Sequence, residues 1–227
     1  VPLSETWGAF EQLVEDGLVK NIGLSNFNVQ LILDLVSYAK IKPAVLQVEI
    51  HPYYPQTDLV NWCATQRILV EAYCPLGLGS VPGAPVPDLK KLIEREEITE
   101  IASRLGKTPA QVILSWGLTR GTRVLPKSSN PTRLAENLQA GSFRLSKEDM
   151  DKIDAIPERG MYYDIFTRFG LPIFSQIECQ ISFSSPLTVL WQAISLYKNK
   201  MFGIAKVSKY YPFLVLWAID LTDLKIS

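Results

Sequence analysis

What this 227-residue chain lacks first is an excess of charge. Lys and Arg number 23, Asp and Glu number 23, and the formal net charge is zero. Nucleic-acid binders ordinarily carry a basic excess, so no nucleic-acid partner is expected. Histidine is equally scarce: His51 is the only one. The three cysteines, Cys63, Cys74 and Cys179, make no disulfide framework and have no metal-ligand spacing, so a metal site is not expected. Cys63 sits among apolar helical positions and reads as core. No apolar run reaches membrane-span length, which makes a membrane partner an unfavoured expectation and the cytoplasm the expected location. The chain begins at Val1 with no charged n-region before an apolar run, and its start reads as the middle of a longer protein. The glycines give no GxGxxG fingerprint, which weighs against an open-sheet dinucleotide domain.

What is present is an alternation of short apolar strands with amphipathic helices. Helical spacing runs from Leu3 to Asp16, with Ser4 as a candidate cap, then from Val29 to Ala39 and from Asp58 to Gln66. It returns over Leu89–Leu105, Pro109–Leu118 and Pro131–Leu138, and after the acidic first turn that follows Ser146. Strand signals lie at Val19–Leu24, Val45–Ile50, Ile68–Tyr73 and Thr122–Leu125. Four strands separated by helices predict parallel βα units in an α/β protein. Their apolar runs predict strands covered on both faces. Polar residues cluster where strands end, which is where α/β barrels and open parallel sheets alike place their ligands.

The segment LPKSSNPTRLAEN, residues 125–137, carries the clearest chemistry. A strand ends, Lys127, Ser128, Ser129 and Asn130 form a polar turn, Pro131 opens a helix, and Arg133 follows within the first turn. First-turn N–H groups and the helix dipole favour negative charge. Lys127 and Arg133 add formal positive charge, and arginine brings a donor fork suited to phosphate. The pattern predicts a phosphorylated ligand.

Four segments in this order resemble the aldo-keto reductases: GLSNFN at 23–28, QVEIHPY at 47–53, EAYCPLG at 71–77 and LPKSSNPTRLAEN at 125–137. The wording AVLQVEIHPY is most similar to the fungal aldose and xylose reductase branch. The resemblance implies the C-terminal half of a (β/α)8 TIM barrel, spanning residues 1–175, with the four strands as the barrel's last four. It implies an NADPH cofactor, with NADH as the alternative. Ser25, Asn26 and Gln47 match the carboxamide contacts, and Tyr73 the ring that stacks on the nicotinamide. The backbone at Cys74, Leu76 and Gly77 matches pyrophosphate contacts. Lys127, Ser128, Ser129 and Arg133 match the segment holding the adenosine 2′-phosphate, while Glu136 and Asn137 match adenine contacts. The Gly79–Pro87 loop resembles the family's cofactor-covering loop. Cys74 stands where relatives commonly have serine, and it lacks that strong hydroxyl donor.

The family's acid-catalytic Asp, Tyr, Lys and His set has no matching position in this chain, so no catalytic residue is assigned. Glu49 and His51 read as a structural strand-end pair. The implied activity, reduction of an aldehyde or ketone such as an aldose or xylose, belongs to a full-length parent, and the chain alone is expected to be inactive. A non-catalytic cofactor-binding or membrane-associated auxiliary protein is the alternative. From Gln176 the likeness ends. The apolar, aromatic stretch 176–227 has no matching family element and reads as aberrant read-through sequence, with a membrane-surface element as the minority reading.

Overall fold

The computed structural model describes residues 1–77 and 89–162. The expectations for the Gly79–Pro87 loop, for Cys179 and for the 176–227 tail therefore lie outside the described residues. Four parallel strands carry the fold: β1 (Gly23–Ser25), β2 (Val45–Glu49), β3 (Leu69–Tyr73) and β4 (Arg123–Leu125). They stand side by side in chain order, so that β1 and β4 are the edges of the described sheet. Each crossover runs through helices, as parallel pairing requires. These are α1 (Leu3–Glu15) before β1, then α2 (Val29–Tyr38), α3 (Thr57–Thr65), α4 (Glu96–Leu105) and α5 (Pro109–Thr119), with α6 (Pro131–Gln139) and α7 (Lys147–Asp154) after β4.

Local chemistry sets the helix starts. Asn28 caps α2 through Leu31 N–H, and Ser146 caps α7 through Asp149 N–H. α5 has a full capping box: Thr108 Oγ1 accepts from Gln111 N–H, Gln111 Oε1 accepts from Thr108 N–H, and Pro109 fills the first helical position. Ser4 is not the cap of α1. That helix begins at Leu3 after Pro2, with no side-chain cap.

Two further expectations are corrected. The single helix read over Leu89–Leu105 is broken. A 3-10 turn at Leu92–Glu94 ends at Arg95, whose backbone is extended (φ −70°, ψ 136°), and α4 starts afresh at Glu96. The acidic pair Glu96–Glu97 in the first turn was the sequence signal for that start. The strand read over Val19–Leu24 is confined to Gly23–Ser25.

The two faces of the sheet differ in character. Leu24, Leu46, Val48, Val70 and Ala72 are buried on one face, against the helices. On the other face the register aligns Ser25, Gln47, Glu71 and Arg123 in one polar row. The core under the apolar face includes Trp7, Ile32, Leu35, Ile98, Ile113 and Trp116, all 2 % exposed or less. Its two indoles are satisfied: Trp7 Nε1 donates to Ile41 O at 3.0 Å, and Trp116 Nε1 to Asp154 Oδ1 at 2.8 Å. Gly23 allows β1 to lie close to β2, since a Cβ there would come within 2.7 Å of Val45 O.

Candidate functional site at the strand ends

The sheet brings its strand-end residues to one rim. Directly after β1 and β3 the chain enters the left-handed region, at Asn26 (φ 58°) and Cys74 (φ 49°). Asparagine tolerates this conformation, but for a cysteine it is a strained one. Both turns are fixed by backbone bonds: Asn26 N–H donates to Gln47 O at 2.9 Å, and Gly77 N–H closes a turn on Cys74 O at 2.9 Å. Gly77, at φ 60°, is packed so closely on Leu92 that a Cβ would meet its Cδ1 at 2.6 Å. Across the rim, Tyr73 Oη donates to Asn26 Oδ1 at 3.1 Å. A small cleft beside this pair is lined by Asn26, Glu49, Tyr54, Tyr73 and Met161.

One layer deeper, Gln47 Nε2 donates to Glu71 Oε2 at 3.0 Å. An ionised carboxylate only accepts, so it fixes the side-chain amide of Gln47 with its nitrogen toward Glu71. Glu71 is 6 % exposed and was not assigned to the site from the sequence. The signal was there, in a lone acid at an inward-alternating position of an apolar strand. Ser25 is buried beside Gln47 in register, while Gln47, Tyr73, Cys74 and Leu76 are half-buried and Gly77 is buried. Burial, and then the negative charge of Glu49, push the Cys74 thiol up to about 11, so it stands at the rim as a neutral thiol.

The cationic segment leaves the same rim. Leu125 of β4 stands in register with Tyr73, and the turn carrying Lys127, Ser128 and Ser129 follows. Ser128 Oγ accepts from Asn130 N–H at 3.1 Å, and Asn130 Oδ1 accepts from Arg133 N–H at 3.2 Å. The cap therefore takes an amide that the sequence reading left open for an anion. Pro131 has no N–H, so of the first three residues of α6 Thr132 retains the free amide. Lys127, Ser129 and Arg133 are exposed, and neither cation pairs with a described carboxylate. Glu136 and Asn137 lie half-buried one turn on, where Gln111 Nε2 donates to Glu136 O at 3.0 Å. The donor set fits a phosphate: two cations with no carboxylate partner among the described residues, hydroxyls and one helix-start amide on a solvent-open turn.

The sequence profile of the aldo/keto reductase family matches residues 1–158. The chain belongs to the aldo/keto reductase family. Aldose reductase B of Dictyostelium discoideum is 48 % identical over 156 residues, covering 69 % of this chain and 47 % of that protein. The NADPH-dependent D-xylose reductase of Meyerozyma guilliermondii is 44 % identical over 175 residues, covering 76 % and 53 %. Among solved structures, an aldose reductase from Giardia lamblia superimposes with a TM-score of 0.70 at 40 % identity, covering 77 % of this chain and 57 % of that one. This aldo/keto reductase chain spans about half the length of the curated relatives it matches.

Within the aldo/keto reductase chain, His51 and Glu49 form a second cluster behind the cleft. His51 Nε2 and Glu49 Oε1 are 2.9 Å apart, and both residues are buried. The ring packs edge-on against Tyr162, with centroids 5.2 Å apart at 74°. Burial, then Tyr53 and Glu49, push the Tyr162 phenol up to about 12, which keeps it neutral. Among the described residues no group of acids, cysteines and histidines is arranged to hold a metal, and no helix is long and apolar enough to cross a membrane.

Proposed function

We propose that this chain is the nicotinamide-nucleotide-binding half of an NADPH-dependent carbonyl reductase, and that it forms the second half of a closed (β/α)8 barrel. The bond between Tyr73 and Asn26 is the observation that carries the reading. It sets a half-buried aromatic ring at the end of β3, tethered by its hydroxyl and lining the cleft, two residues beyond Glu71, the hydrogen-bond partner of Gln47. Tyr73 would stack on the nicotinamide. Ser25, Asn26 and Gln47 would hold its carboxamide and so select the ring face presented to substrate. The backbone of Cys74, Leu76 and Gly77 would take the pyrophosphate, Lys127, Ser128, Ser129 and Arg133 the 2′-phosphate, and Glu136 and Asn137 the adenine. When bound, the cofactor supplies a hydride to an aldehyde or ketone carbon, with an aldose such as xylose as the substrate class. The likeness to the Dictyostelium aldose reductase and the Meyerozyma D-xylose reductase supports that class.

Protonation of the resulting oxygen needs an acid, which this reading assigns to the other half of the barrel. Tyr73 is committed to Asn26, Tyr162 is buried, and His51 is paired with Glu49 behind the cleft. On this reading the chain by itself is expected to be inactive, and the edges of β1 and β4 would receive the strands of the other half. The test is NADPH oxidation with D-xylose and simple aldehydes. It compares residues 1–227 with a fusion preceded by the first half of the Meyerozyma enzyme. Turnover by the fusion alone is expected. No turnover by the fusion refutes the complementary-half reading. Turnover by residues 1–227, abolished by Tyr73→Ala, refutes the assignment of the acid to the other half.

A further inference from the structure

Glu49 makes contacts that the cofactor reading does not use. Its Oε1 accepts from His51 Nε2 at 2.9 Å and also from the backbone N–H of Tyr162, 113 residues away, at 2.6 Å. The second is a short, charge-assisted bond. Glu49 itself is 2 % exposed, and it is one of the residues lining the Asn26–Tyr73 cleft. The residue next to its backbone partner, Met161, lines the same cleft. One residue thus lines the cleft and, through its carboxylate, holds the chain segment that walls it.

The segment is held at a second point, where Gly160 N–H donates to Tyr53 O at 3.0 Å. His51 orients the carboxylate from behind. A carboxylate only accepts, so the hydrogen-bond pattern assigns the proton to Nε2, and among the described residues Nδ1 is buried without a hydrogen-bond partner. A buried ring that leaves one nitrogen unsatisfied is costly to keep. Here its other nitrogen bonds the carboxylate that accepts from Tyr162 N–H.

We propose that Glu49 is a positioning residue, which holds Met161–Tyr162 across the strand ends as the outer wall of the cleft. The latch is independent of the identity of the ligand. Its consequence for a nicotinamide ring rests on the cofactor reading above.

Hydrogen exchange of the 227-residue chain, read by mass spectrometry on peptides covering 156–162, tests the latch without any ligand. Glu49→Ala removes the acceptor, and amides 160–162 are expected to exchange roughly 10- to 150-fold faster, the loss of one charged hydrogen bond. Glu49→Gln keeps an acceptor without the charge and leaves no hole. Its increase should be smaller, on the order of fivefold. The peptides of α2 and β2 should keep wild-type protection. Unchanged exchange at 160–162 in Glu49→Gln overturns the proposal, as does an increase spread evenly through β2 and β3, which would mark Glu49 as a general core residue. If Glu49→Ala does not fold, Glu49→Gln alone decides by the same criteria. A parallel NADPH titration of the wild-type chain separates the two readings: failure to bind counts against the cofactor assignment and leaves the exchange result standing.

Discussion

Tyr73 and Asn26 are joined by a 3.1 Å hydrogen bond across the end of β2, the strand that separates their own. The bond ties the rim of the sheet at β1 to the rim at β3, and it fixes the tyrosine ring by its outer edge. Its position depends on Asn26 adopting φ 58°, which turns the chain directly after β1. Tyr73→Ala should weaken NADPH and NADH equally, by about 2- to 13-fold, since ring stacking contributes about 0.5–1.5 kcal/mol. Tyr73→Phe keeps the ring and loses the tether, so its loss should be smaller. Fluorescence titration of the two cofactors measures both. A loss confined to NADPH would contradict the stacking role.

Arg133 should discriminate between the same two cofactors in the opposite manner. Its guanidinium is exposed and pairs with no described carboxylate, while its backbone amide is taken by Asn130. Arg133→Ala is expected to weaken NADPH by about 10- to 150-fold, the range for a charge-assisted bond of roughly 1.5–3 kcal/mol. NADH, which lacks the 2′-phosphate, should change little. Because the cap consumes an amide, the side chains would carry most of any anion binding at this turn. Equal losses for both cofactors would remove the 2′-phosphate from this turn.

Gly23 sits where β1 meets β2, with Val45 O only 2.7 Å from where a Cβ would be. That neighbour is backbone and cannot swing aside. Gly23→Ala should therefore destabilise the protein by about 1–3 kcal/mol, the usual cost of overpacking. Urea denaturation checks it. A midpoint equal to that of the wild type would mean that β1 slides freely on β2.

The order and direction of the strands were legible because each βα unit repeats a short apolar run, a polar strand end and a capped helix. Asn28, Thr108, Asn130 and Ser146 cap helices where the capping rules place such residues. The polar row of Ser25, Gln47, Glu71 and Arg123 was not legible as a row, because register between distant strands has no local signature. The break at Arg95 was missed for a related reason. Apolar spacing continues through it, while the extended Arg95 has its guanidinium bonded to Glu97 nearby and to Glu158 63 residues away. The Tyr162–Glu49 bond spans 113 residues and leaves no trace in either local sequence. Long-range pairs of this kind decide the wall of the site, while local pattern decides its floor.

Arg95 also makes stability depend on pH. Its Nε and Nη2 bind both oxygens of Glu97, at 3.1 and 2.8 Å, and Nη1 reaches Glu158. The guanidinium beside Glu97 holds that carboxyl below the usual range, against the opposing effect of burial. A carboxyl depressed in the folded state contributes stability that is fully present above its unfolded value, near 4.3, and lost as pH falls through the lower folded value. Arg95 stays charged throughout, so at low pH it is left among neutral partners. Arg95→Met should thus lower the urea midpoint at pH 7, and the gap to wild type should narrow as pH falls below about 4. Glu97→Gln should behave alike, because it removes the titrating partner and keeps the side-chain volume. Midpoints measured at pH 7 and at pH 3.5 decide the matter. A gap of the same size at both would mean that Arg95 stabilises the α4 start by packing alone, without its ion pairs.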